Sequence, residues 1–90
     1  MAIMVINYDL KAPGRNYQPL YDAIETYTHC TILESCWLVD TTKNAEEVRD
    51  HLKGKMDSND EVFVARLSKN WGTNFKDQAT KWLKSQNRNW

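Results

Sequence analysis

The chain has 90 residues and a mass of 10.6 kDa, room for one packed core, because two would each need about fifty residues before linkers are counted. That excludes repeat arrays and two-domain enzymes, and residues 1–90 read as a single domain with its core over about 2–67 and a helical extension over about 73–85. Twelve Lys plus Arg balance twelve Asp plus Glu, which argues against a generic nucleic-acid coat built on phosphate neutralisation.

Ala2–Tyr8 is apolar at nearly every position, the pattern of a central strand flanked on both sides. Leu10–Asn16, with Pro13 and Gly14, reads as a loop. Tyr17, Leu20, Tyr21, Ile24 and Tyr27 then fall at helical spacing, with Asn16 as N-cap and Pro19 in the first turn. Residues 29–42, rich in Thr, Ile, Cys, Trp, Leu and Val, favour extended structure. The stretch is long for one flat strand, so a bend or reversal is predicted near Glu34–Cys36.

Asn44–Lys53 is the next helix: Asn44 and Glu47 have capping-box spacing, Ala45, Val48 and Leu52 form its buried stripe, and Gly54 stops it. A polar loop over Lys55–Asp60 leads into a strand over Val62–Leu67. A last helix from about Asn74 to Lys84 places Phe75, Ala79, Trp82 and Leu83 on one face and Lys76, Lys81 and Lys84 around the rest. The simplest assembly of this order is a ferredoxin-like α+β sandwich, βαββαβ, with both crossover helices on one face and the C-terminal helix added. The other face needs cover. Dimerisation through it is the expectation for so small a core.

Charge is neutral in sum but not in place. Residues 1–65 hold six basic and eleven acidic side chains, whereas residues 66–90 hold six basic and one acidic. The basic tail suits an anionic partner or the acidic part of a second copy. Two cysteines are too few for a disulfide-stapled secreted scaffold, so a reduced, cytoplasmic setting is expected. On one continuous strand Cys30 and Cys36 would lie about 20 Å apart and pair only after a reversal. The apolar start breaks at Asn7 and Asp9 and carries no basic leader, so no signal core or membrane span is expected.

Asp9 is the first candidate for chemistry, because a carboxylate just past the end of a central strand is held by rigid backbone and faces the adjoining loop. It suits a metal or acid/base role. The alternative is that it hydrogen-bonds amides of the 10–14 turn. One carboxylate is sparse equipment for Mg²⁺, and a two-fold dimer would supply the second. Lys11, Gly14, Arg15 and Asn16 precede a helix N-terminus and could hold a phosphate, or could form a plain solvated connection. They make no Walker or dinucleotide glycine pattern.

His29 and His51 lack metal-ligand spacing, and Cys36 reads as a structural thiol rather than a nucleophile. No nucleophile elbow is present. Lys69, Trp71, Lys76, Lys81, Trp82, Lys84, Arg88 and Trp90 interleave cations with indoles, as single-strand binders do. Trp82 falls on its helix's apolar stripe, and Trp71 either anchors a turn or, with Trp90, offers a stacking surface.

Ile6-Asn7-Tyr8-Asp9 and Leu33-Glu34-Ser35-Cys36-Trp37-Leu38 resemble the small CRISPR-associated endonuclease and spacer-acquisition subunit, over about residues 2–67. Tyr8–Tyr17 and Ser35–Val39 are similar to the SinR-like bacterial and phage proteins grouped with that fold. The resemblance implies a ferredoxin-like homodimer in which the two Asp9 residues share Mg²⁺ or Mn²⁺ and hydrolyse a phosphodiester through metal-bound water. The Pro13-Gly14 loop and the basic, Trp-bearing tail depart from the nuclease pattern.

Three functions follow. The first is a divalent-metal-dependent endonuclease on RNA or DNA, with Asp9 as metal ligand and Lys11, Arg15 and Lys69 on phosphates. The second is a non-catalytic dimer binding nucleic acid, nucleotide or protein in phage and host defence. The third is a purely structural dimer.

Overall fold

The computed structural model describes residues 2–74 and 78–85, with the backbone alone at Gln78 and Ala79. Its elements run β1 (Ala2–Asp9), α1 (Gln18–Glu25), β2 (Thr28–Leu33), β3 (Cys36–Thr41), α2 (Ala45–Lys53), β4 (Glu61–Arg66) and α3 (Gln78–Lys84). The fold is α+β: one four-stranded sheet in the order β2-β3-β1-β4, antiparallel at every pairing, with three helices. The apolar first segment is central, as its pattern predicts.

Directly opposed residues of an antiparallel pair share a face, so the register sorts the side chains. Met4, Ile6 and Tyr8 of β1 join Val39 of β3, Leu20, Ala23 and Ile24 of α1, and Val48 and Leu52 of α2 in the main core. Ile3 and Leu38 instead pack with Leu83 of α3, flanked by Val5, Ile32, Leu67, Trp71 and Trp82. Both crossover helices therefore cover one face, and α3 covers part of the other. Phe63, opposite Asn7 in the register, belongs to this second face and is 67 % exposed.

Local chemistry accounts for the element ends. The predicted reversal falls at Glu34-Ser35, between β2 and β3, and the amide of Tyr8 donates to the carbonyl of Ser35 at 3.2 Å. The capping box is complete: Asn44 Oδ1 accepts from the Glu47 amide at 2.9 Å, and Glu47 Oε1 accepts from the Asn44 amide at 3.1 Å. The α1 start differs from expectation. Tyr17 stands at the N-cap with no side-chain cap bond, and Asn16 Oδ1 accepts from the Gln18 amide at 3.0 Å. The helix starts one residue later because Asn16 closes its own short turn before it begins.

The last helix is described over Gln78–Lys84, and residues 75–77, including Phe75 and Lys76 of its expected first turn, lie outside the described residues. Cys30 and Cys36 are in no disulfide and lie buried and half-buried on the hairpin. Among the described residues no helix is long and apolar enough to cross a membrane.

Ile6 is fully buried between β1 and the two crossover helices. Ile6→Ala should lower the unfolding free energy by about 2–5 kcal/mol. Phe63→Ala, on the exposed patch, should change it by about 0.5 kcal/mol or less in dilute protein; urea denaturation of the two variants measures the contrast.

Candidate functional site

β1 is longer than its pairing with β3, which ends at Asn7 opposite Cys36, whereas its pairing with β4 continues to Asp9 opposite Glu61. Alternation then sends Asn7 and Asp9 to the face that α1 and α2 leave uncovered. The Asp9 side chain is 71 % exposed and that of Glu61 is 70 % exposed. A shallow hollow of about 400 Å³, lined by Asn7, Tyr8, Asp9, Glu61, Val62 and Phe63, opens there.

Lys11 folds back over this corner. Its Nζ is 2.5 Å from Glu61 Oε1 and 3.9 Å from Asp9 Oδ2, so one ammonium lies between two carboxylates on neighbouring strands. The hydrogen bond from Lys11, with its charge, holds the Glu61 carboxyl below its ordinary range, and the same bond raises Lys11.

The rest of the loop is fastened by Asp60. Its Oδ1 accepts from the Lys11 amide at 2.6 Å, its Oδ2 accepts from the Tyr17 hydroxyl at 2.8 Å, and Oδ2 also accepts from the Asp57 amide at 2.9 Å. The Tyr17 hydroxyl in turn accepts from the Ala12 amide at 3.2 Å. Arg15 Nη1 contacts Asp57 Oδ1 at 3.3 Å, and its guanidinium stands 5.7 Å from the Tyr17 ring centroid. Gly14 makes the bend between Pro13 and Arg15 at φ +83°, a left-handed conformation that glycine adopts without Cβ strain.

Desolvation pushes the Asp60 carboxyl up, but the bonds from Lys11, Tyr17 and Asp57, aided by the Arg15 charge, outweigh it and its pKa falls below the ordinary value. These bonds favour the charged form.

The sequence candidates thus separate into two groups. Asp9 and Lys11 meet at one corner, and Gly14, Arg15 and Asn16 lie in the same loop, although Lys11 and Arg15 both face carboxylates of the α2–β4 segment. Asp9 does not take the turn amides; Asp60 does. Lys69 and Trp71 follow the other end of β4, whose last residue pairs with Met4, about 17 Å of strand from Glu61. Trp71 packs on the second core and lines an apolar groove of about 600 Å³ with Val5, Ile32, Leu38 and Leu83. Trp90 and Arg88 lie outside the described residues.

Asp57, Asp60 and Glu61 are the site residues that sequence reasoning missed. Their signal was an acidic, turn-forming run, Asp57-Ser58-Asn59-Asp60-Glu61, directly before a strand. The remaining reactive side chains are engaged structurally. Burial raises the Cys36 thiol, which disfavours the thiolate. The Tyr27 hydroxyl lies 2.7 Å from His51 Nδ1, and burial with nearby Lys43 and Lys55 lowers that histidine. Among the described residues no three His, Cys, Asp or Glu side chains converge as a metal site.

No family model matches this chain. No solved structure matches it either.

Because the Asp60 carboxyl lies below its ordinary value of 3.8, its contribution to stability is complete above the unfolded-state value. It is shed as pH falls through the folded-state value. Asp60→Asn should therefore flatten the acid limb of the stability-versus-pH curve, read by thermal melts from pH 7 to about 3. An acid limb as steep as that of the parent chain would remove Asp60 from this role.

Proposed function

We propose that the chain is a ferredoxin-like homodimer acting on nucleic-acid phosphodiesters, with Asp9 of each protomer at a shared cleft and a divalent cation, Mg²⁺ or Mn²⁺, held beside it. Support for the fold comes from the order β2-β3-β1-β4, in which β3 separates β1 from β2 and β1 separates β3 from β4. Each crossover helix thus spans a third strand, the split βαβ arrangement.

The observation that carries the functional reading is the position of Asp9. It ends the central strand on the face opposite the crossover helices, beside Glu61 and near the exposed Phe63. Carboxylate oxygens suit a hard divalent ion, and the two carboxylates on adjacent strands are a partial ligand set that a two-fold partner would complete. Such an ion lowers the pKa of bound water and stabilises charge on a phosphate. The protein's part is to hold Asp9 and Glu61 on paired backbone, with Phe63 excluding water when the faces meet.

A second reading, a non-catalytic dimer that binds a nucleic acid or nucleotide, is favoured by the Lys11 ammonium, which already offsets the Asp9–Glu61 charge.

Cleavage of RNA and DNA oligonucleotides in Mg²⁺ or Mn²⁺ separates these readings. Asp9→Ala should abolish metal-dependent cleavage with little change in melting temperature, since the side chain is exposed. Cleavage that survives the substitution would sink the nuclease reading. Oligonucleotide binding without cleavage in the parent chain would select the second.

A further inference from the structure

The two edges of the sheet are built differently. β2 carries a register shift between Thr31 and Leu33, and α3 packs against it. A bulge and a covering helix both discourage the addition of a further strand. β4 has no shift in its register and no proline, and among the described residues no strand lies beyond it. The helix α2 meets β4 on the face of the sheet, where Val62 and Val64 pack against the main core.

The ladder fixes which backbone groups of β4 face outward. The Leu67 amide donates to the Ile3 carbonyl at 2.8 Å, and the register sets Ala65 opposite Val5 and Phe63 opposite Asn7. Alternation then turns the amides and carbonyls of Phe63 and Ala65 toward β1, and those of Val62, Val64 and Arg66 toward the open edge. The Phe63 side chain, beside that edge, is exposed.

We propose that this edge pairs with the same edge of a second copy, β4 antiparallel to β4, in one eight-stranded sheet. The inference goes beyond the reading of Asp9, because it uses the sheet edge and needs no cation. Two identical antiparallel strands in one sheet are related by a two-fold axis perpendicular to it, so opposed residues share a face and the register centres on one residue. Centring on Phe63 sets Phe63 against Phe63, Val62 against Val64, and Asp60 against Arg66 of the second copy. The outward groups of Val62 and Val64 then bond across the axis. The acidic entrance of each strand meets the basic end of the other, and an aromatic pair fills the middle. Centring on Val64 would instead oppose Glu61 to Leu67 and Val62 to Arg66. Because the β2 edge is blunted, the assembly closes at two copies.

The test is sedimentation equilibrium of the full chain over a concentration series, for the parent, Phe63→Lys, Phe63→Glu and an equimolar mixture of the two variants. Amide hydrogen exchange is followed by NMR. Phe63 is exposed, so both variants should keep the fold, which melting curves check. The parent should dimerise, and each variant alone should self-associate roughly tenfold more weakly, since like charges then face one another across the axis. The mixture should recover association, because lysine then faces glutamate. In the parent dimer the amides of Val62, Val64 and Arg66 should exchange more slowly than in Phe63→Lys.

A monomeric parent, or variants that associate as the parent does, overturns the proposal. A mixture that recovers nothing overturns the register centred on Phe63. A parent dimer in which the three outward amides exchange as fast as in Phe63→Lys overturns the edge pairing while leaving a dimer through the face that carries Asp9.

Discussion

The alternation of side chains along β1 sets the position of everything else. Met4, Ile6 and Tyr8 turn toward α1 and α2, while Ile3 and Val5 turn toward the face that α3 partly covers. Because the strand period is two, a register slip of one residue would expose the first set and bury the second. Both faces are apolar where they are covered, so the register is strongly specified from each side. Asn7 and Asp9 occur where the second set becomes polar, beyond the reach of α3's apolar contacts. Asp9 thus inherits a fixed position from packing that it takes no part in.

A second constraint brings the loop to that corner. At the end of β1 the chain could leave the sheet in many directions, but Asp60 accepts from the Lys11 amide and the Tyr17 hydroxyl and ties the loop to the entrance of β4. The ammonium of Lys11 then comes to Glu61 and Asp9 as a consequence of backbone placement. Arg15 is drawn to Asp57 by the same fold of the loop. Four of the eleven acidic residues of 1–65, Asp9, Asp57, Asp60 and Glu61, thus stand where the loop cations and the Lys11 amide meet them.

Features governed by neighbours in sequence were legible from it. The Asn44–Glu47 capping box depends on residues three apart, and the reversal at Glu34-Ser35 follows from the length of the extended stretch. Asp9 was visible as the polar end of an apolar strand. Its surroundings were not, because Lys11 meets Asp60 and Glu61 across separations of 49 and 50 residues. Loop composition alone leaves Lys11 and Arg15 looking available for anions; only the β1–β4 register shows which carboxylates face them. Trp71 shows the same limit, since its spacing fits a stacking surface but its packing on Ile3 and Leu38 depends on how α3 returns to the sheet.

The central claim is that the corner formed by Asp9 and Glu61 receives a divalent cation. Paramagnetic broadening of amide NMR signals by substoichiometric Mn²⁺ tests it directly, because broadening falls off steeply with distance from the ion. Signals of residues 9–11 and 61–63 should broaden first, and those of α1 and α2 should persist. Uniform broadening, or a first loss centred elsewhere, would contradict a cation site at Asp9.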